Sequence, residues 1–187
     1  MKIFISILIV LGIFILLIGG FFASKYNKFV SLQTLTESSW AEINNQLKRR
    51  SDLIPNLVNT VKGYAKHEKD VFTHVADARA KLAGAKGVKE TAKANNELSS
   101  ALSRLLVIVE NYPQLKADKN FQGLQDELAG TENRLAVARK RYNEAVQNYN
   151  YAIKKFPDMF IANIMGLKAK QYFKVEEAAK QTPKVNF

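Results

Sequence analysis

The sequence has no cysteine and only two histidines. Without a thiol there is no cysteine nucleophile and no thiolate metal site, and two imidazoles leave little from which to assemble a nucleophile with its base and orienter. A thiol-free chain suits either redox compartment, so this absence does not say which side of a membrane the chain faces. Proline is confined to Pro55, Pro113, Pro157 and Pro183, and neither proline nor glycine occurs from Phe21 to Ile54, so nothing in the sequence punctuates the passage out of an apolar N-terminal segment. The glycines Gly84 and Gly87 in LAGAKGVKE lack phosphate-loop spacing, and the two histidines are seven apart, not four. These gaps argue against an enzyme, and no catalytic residue or cofactor is assigned.

What the sequence has is one unbroken apolar run, Ile3 to Ala23, IFISILIVLGIFILLIGGFFA, in which Ser6 is the only conventional polar side chain. At 1.5 Å per residue it gives roughly 32 Å of helix, enough to cross a hydrocarbon core of about 30 Å. A cleavable signal would have a shorter apolar core and a small-x-small cleavage site. This run ends instead in Gly-Phe-Phe-Ala-Ser-Lys-Tyr. Phe21, Phe22 and Tyr26 suit the membrane interface, and Lys25 and Lys28 can snorkel to headgroups. One lysine precedes the run and two follow it closely, so the positive-inside rule favours a cytoplasmic C-terminal body. Gly12, Gly19 and Ala23 make a small-residue face through which two such helices could meet.

The net charge of +11 is spread evenly along the chain. A nucleic-acid binder concentrates its basic residues on a stripe or tail; a diffuse positive field suits a domain beside anionic lipid. The expected partner is the lipid bilayer, and no nucleic acid.

Helical patterning continues beyond the run. Trp40, Ile43, Leu47, Arg50, Ile54, Leu57, Val61, Tyr64, Glu68, Val71, Val75, Ala78 and Leu82 alternate steps of three and four, a heptad-type seam. Pro55 lies within it, so the helix either kinks near Ser51 or restarts with Asp52 as N-cap. The seam keeps its phase, which favours the kink. A second helix is predicted over about 91–110 and ends at Tyr112-Pro113. A third, over about 118–155, has Phe121, Leu128, Leu135, Tyr142, Tyr149 and Phe156 recurring at seven, with small residues between them. The predicted fold is all-α, an N-terminal transmembrane helix continuing into an antiparallel bundle of long helices. Its expected divisions are an anchor over 1–24 and a bundle domain over 25–187, with helices over about 25–83, 91–110 and 118–155. A C-terminal return segment follows, whose apolar stretch Met159 to Leu167 could plug an open end of the bundle or form an interfacial patch.

Two sets of polar residues stand out. His67, Asp70, His74 and Asp77 share one face at steps of three, four and three, a donor set that could hold a divalent metal. They lie one position off the apolar seam, where a helix carries solvated groups, so no metal is assigned. Arg50 and Glu68 occupy seam positions, and buried charge there calls for a partner on a neighbouring helix.

The segment YNKFVSLQTLTESSWAEINNQLKRRSDLIPNLVNTVKGYAKHEKDVF, with LKRR-x-DLIPNLV at its centre, resembles the bacterial LemA family. So do ENYPQLKADKNFQGLQDELAGTENRLAVARKRYNEAVQNYN and the closing YFKV and PKVNF. The resemblance covers the chain from Lys25 onward. It implies a single-pass protein of the bacterial cytoplasmic membrane with a short N-terminus outside and a helical cytoplasmic body, and it brings no catalytic residues. Where the pattern leads one to expect glycine followed by phenylalanine, this chain has Gly166-Leu167. The leading expectation is a membrane-anchored helical scaffold or interaction protein, with homo-oligomers or other membrane proteins as partners. Its structural residues would be Arg50, Asp52, Pro55, Asn56, Tyr112, Pro113, Asn133, Arg134, Arg141, Tyr142 and Asn143. The alternative is an accessory ligand- or metal-binding domain.

Overall fold

A computed structural model describes residues 2–174, so PKVNF and the rest of the chain beyond 174 lie outside the described residues. Among the described residues six helices follow in order: α1 (Lys2–Tyr64), α2 (Lys69–Gly84), α3 (Gly87–Val109), α4 (Pro113–Lys116), α5 (Lys119–Lys154) and α6 (Asp158–Ile164). No strand occurs among the described residues. The fold is all-α, and α1 carries the apolar run without a break into charged, packed sequence.

The chain forms two compact units. One comprises the chain up to Ser39 together with Glu144–Lys170; the other comprises Trp40–Asn143 and the segment from Gln171.

In the first unit the residues of the apolar run are exposed, and α1 is long and apolar enough to cross a membrane. Beyond the run, Phe29 of α1 is fully buried with Tyr149, Ala152 and Ile153 of α5 and Ile161 and Ala162 of α6. Leu32, Met165 and Leu167 complete this small core. The apolar segment after Pro157 thus has two faces, since Ile161 and Ala162 are buried while Phe160 and Ile164 are exposed. Phe156, last of the sevenfold repeat on α5, is also exposed, because the helix that sets the repeat has ended at Lys154.

The second unit packs the C-terminal part of α1 with α2, α3, α4 and the N-terminal part of α5. Ile43, Leu47, Ile54, Leu57 and Val61 of the seam are buried. The seam predicts one helix to about residue 83, whereas α1 ends at Tyr64 and α2 begins at Lys69. The seam also slips by one place there, with Tyr64 exposed and Ala65 buried, before Val75, Ala78 and Leu82 resume it. Gly63 weakens the last turn of α1, and the polar His67-Glu68-Lys69-Asp70 run gives the link solvent-compatible side chains. Glu68 lies at this break as the residue preceding α2, and is only partly buried.

Pro55 sits inside α1 without ending it. Its missing N–H would leave the carbonyl of Ser51, four residues back, without its helical partner. Arg79 of α2 donates its Nε–H to that carbonyl at 2.9 Å. The bond also pins α2 against the part of α1 preceding the break, so the two form a helical hairpin. Asp118 caps α5, its Oδ1 accepting from the backbone N–H groups of Asn120 at 2.8 Å and Phe121 at 3.0 Å. Gly87 at the start of α3 has φ +73°, a left-handed backbone that glycine adopts at little cost.

Candidate functional site

Arg50 is the charged member of the α1 seam, and 6% of its surface is exposed. Its Nη1 donates to Asn95 Oδ1 at 2.9 Å and to Ser99 Oγ at 3.1 Å, both on α3. The same nitrogen lies 2.8 Å from Glu132 Oε2 on α5. The other oxygen of Glu132 accepts from Arg139, whose guanidinium lies 5.8 Å from the centre of the Phe173 ring. One carboxylate therefore joins two guanidinium groups, and Arg50 ties three helices. Burial pulls the Arg50 pKa below its usual value; Glu132 opposes this and Arg139 adds to it. Removing either partner of such a buried pair leaves an uncompensated charge, which is far more costly than the pair itself is stabilising.

The first unit contains a counterpart. Asp158, at the start of α6, is 1% exposed, with Oδ1 at 2.7 Å from Lys25 Nζ and Oδ2 at 2.8 Å from Lys28 Nζ. Hydrogen bonds from Lys25 and then Lys28 hold its carboxyl below the usual carboxylate range, against the opposing effect of burial. The two lysines that follow the apolar run thus fasten α6 beside the end of that run.

The far end of α6 is closed by a Schellman motif: Leu167 N–H donates to Ala162 O at 3.0 Å and Gly166 N–H to Asn163 O at 3.0 Å. Gly166 has φ +67°, which is why glycine is needed here. Leu167, where phenylalanine is expected, packs on the small core. Phe22, Ala23 and Tyr26 of α1 line a shallow groove with Ile161, Ile164 and Met165.

The return segment is held in each unit by an asparagine of α5 whose side-chain amide pairs with both the N–H and the C=O of one residue. In the first unit Asn150 donates to Lys170 O at 2.9 Å and accepts from Lys170 N–H at 2.8 Å. In the second unit Asn143 donates to Phe173 O at 3.1 Å and accepts from Phe173 N–H at 2.8 Å. There too Tyr142 is buried, donates to Gln171 O at 2.9 Å and packs its ring against Trp40, tilted by 52° with centroids 5.4 Å apart.

The other residues singled out from sequence are dispersed. Asp52 is exposed and pairs with Lys48 at 3.1 Å. Asn56, Asn133 and Arg141 are exposed. Arg134 shares Glu127 with Arg49, at 3.0 and 2.6 Å. Tyr112 precedes α4, which Pro113 opens. His67, Asp70, His74 and Asp77 are all exposed, and the break before α2 places His67 outside the helix carrying the other three. Among the described residues no three histidine, cysteine or acidic side chains are grouped to hold a metal. Sequence reasoning missed Arg79 and Asp158. The first was signalled by the proline, which demands a donor for Ser51; the second is the lone acid in a basic and apolar segment.

A sequence model of the LemA family matches residues 39–187. Among curated proteins the chain is similar to Magnetosome proteins MamQ 1 and MamQ 2 of Paramagnetospirillum magneticum (strain ATCC 700264 / AMB-1), at 28% identity over 185 residues, covering 85% of this chain and 68% of each relative. Magnetosome protein MamQ of Magnetospirillum gryphiswaldense matches at the same identity and coverage. With the apolar α1, these findings describe a membrane-associated helical protein.

Proposed function

This chain belongs to the LemA family, and from that premise we propose that it is a single-pass scaffold of the bacterial cytoplasmic membrane. Its short N-terminus lies outside, and its helical body lies in the cytoplasm, where it offers surfaces to further copies or to other membrane proteins. The observation that carries this reading is that α1 does not end with the apolar run. The same helix extends to Tyr64 and buries Phe29, Ile43, Leu47, Ile54, Leu57 and Val61. The anchor and much of the core thus belong to one element. Lys25 and Lys28 directly after the run support the orientation. Arg50 and Glu132 are accounted for by each other and the helices they join, and Asp158 by Lys25 and Lys28, as expected of charges with an architectural role. The metal-binding alternative gains no comparable support.

The cysteine-free chain makes orientation testable with one substitution. Ala136→Cys, at an exposed position of α5, should resist a membrane-impermeant maleimide in intact cells and react after the inner membrane is opened. Labelling in intact cells would reverse the proposed orientation. Full-length protein extracted in mild detergent should have a protein mass above one chain. A single-chain mass over a wide concentration range would remove self-assembly and leave other membrane proteins as partners.

A further inference from the structure

Outside the apolar run, large exposed hydrophobic side chains concentrate around α6: Phe156 is 72% exposed, Phe160 56% and Ile164 78%. They recur at steps of four, and the rings of Phe156 and Phe160 meet edge to face with centroids 6.0 Å apart. They form a stripe opposite the buried Ile161 and Ala162. Its position relative to the anchor is set twice. Asp158 is fastened to Lys25 and Lys28, and Ile164 and Met165 lie in the groove with Phe22 and Ala23, the last residues of the apolar run. From Asp158 to its end, α6 therefore descends along α1 towards the bilayer, and past the Gly166 turn Leu167 packs back on the small core.

We propose that α6 is a second membrane contact, a foot whose Phe156, Phe160 and Ile164 stripe enters the bilayer interface of the leaflet from which α1 emerges. The occupant of the stripe is lipid because the stripe is continuous with the end of a segment that itself requires lipid. The charges around it agree. Lys154, Lys155 and Lys168 are exposed on its flanks, where they would face phosphate groups, while Asp158, the acid that would repel them, is covered by two lysines. Interfacial apolar side chains of this kind sit about 5–10 Å into the boundary between headgroups and acyl chains. The foot fixes the rotation of α1 about its axis, which a lone spanning helix leaves free. This inference rests on the membrane-anchored reading above.

The test uses full-length protein in vesicles of mixed zwitterionic and anionic lipid. The wild type has one tryptophan, Trp40, which supplies the baseline. Phe160→Trp should add blue-shifted emission that lipids brominated near the headgroup end of their acyl chains quench strongly and aqueous iodide quenches weakly. Val107→Trp, at a site 69% exposed on α3, should show the reverse and serves as control. Strong iodide quenching of Trp at 160 without bromolipid quenching overturns the foot. Protection from both quenchers also overturns it and assigns the stripe to a second copy or another protein. Flotation separates the two readings: protein that floats with vesicles but fails the quenching test loses only the foot, and protein that does not float loses the anchor as well.

Discussion

Asp158 in one compact unit and Glu132 in the other are each set between two cations, and the two arrangements differ in which charge is buried. Asp158 is almost fully covered, while its partners Lys25 and Lys28 keep 24% and 43% of their side chains exposed. In the other unit it is the cation that is trapped: the Arg50 side chain is 7% exposed and that of Glu132 38%. A long lysine can fasten a buried acid and still reach water. A guanidinium has a fixed fork of donors; Glu132, Asn95 and Ser99 all gather at Nη1 of Arg50, and its Nε stays buried without a hydrogen-bond partner. The first arrangement joins α6 to the end of the apolar run through one buried acid. The second joins α1, α3 and α5 through one buried cation.

The sharpest way to break the comparison is to remove one member of the Arg50 cluster at a time. Glu132→Ala leaves Arg50 buried without a carboxylate and should cost about 3 kcal/mol. Arg50→Met removes the trapped charge and leaves Glu132 held by Arg139 on its other oxygen, with the buried Oε2 and the acceptors of Asn95 and Ser99 unmet, so the cost should be smaller, about 2 kcal/mol. Denaturant unfolding of the full-length protein in detergent, followed by Trp40 fluorescence, measures both. Equal costs, or a larger cost for Arg50→Met, would mean that Arg50 is not the trapped charge.

The Asp158 arrangement should respond to acid. Its carboxyl titrates below the usual range when folded, so its contribution is complete above the unfolded value of about 4 and is lost as pH falls through the lower folded value. Asp158→Asn removes both the contribution and its pH dependence, at a cost of about 1–2 kcal/mol at neutral pH, because both lysines regain water easily. The Phe160→Trp reporter should register release of α6 in the wild-type background as pH drops below about 4, and no corresponding step in Asp158→Asn. A step of equal size in the variant would assign the acid response to other carboxyl groups.

The contrast also marks what a linear reading can reach. The sevenfold repeat from Phe121 to Tyr149 and the seam from Ile43 to Val61 follow helical geometry alone, and their large members are buried as that geometry requires, apart from the half-buried Leu128. Pro113 and Pro157 stand where helices begin or have just ended. The break at 65–68 was masked because the apolar period slips by only one position across it. Asn143 and Asn150 are ordinary polar residues until the return segment lies alongside them, and Arg50 announced burial without naming its partners. The chemistry that fastens α6 depends on residues 130 positions apart, a distance no local pattern encodes.

The smallest effect concerns the proline inside α1. The helix continues through Pro55, and Arg79 serves the carbonyl of Ser51 that proline leaves without its helical donor. Arg79→Met should then cost about 1 kcal/mol in the natural chain, since a partly buried acceptor loses its donor. With Pro55→Ala the backbone N–H at position 55 becomes available to Ser51, and the same Arg79→Met change should cost little. A double-mutant cycle, read by denaturant unfolding, should give a coupling of about 1 kcal/mol between two residues that share only that oxygen. Additive costs would show that the guanidinium holds the α1–α2 hairpin by packing alone, and that the helix tolerates Pro55 through bending and access of water to Ser51.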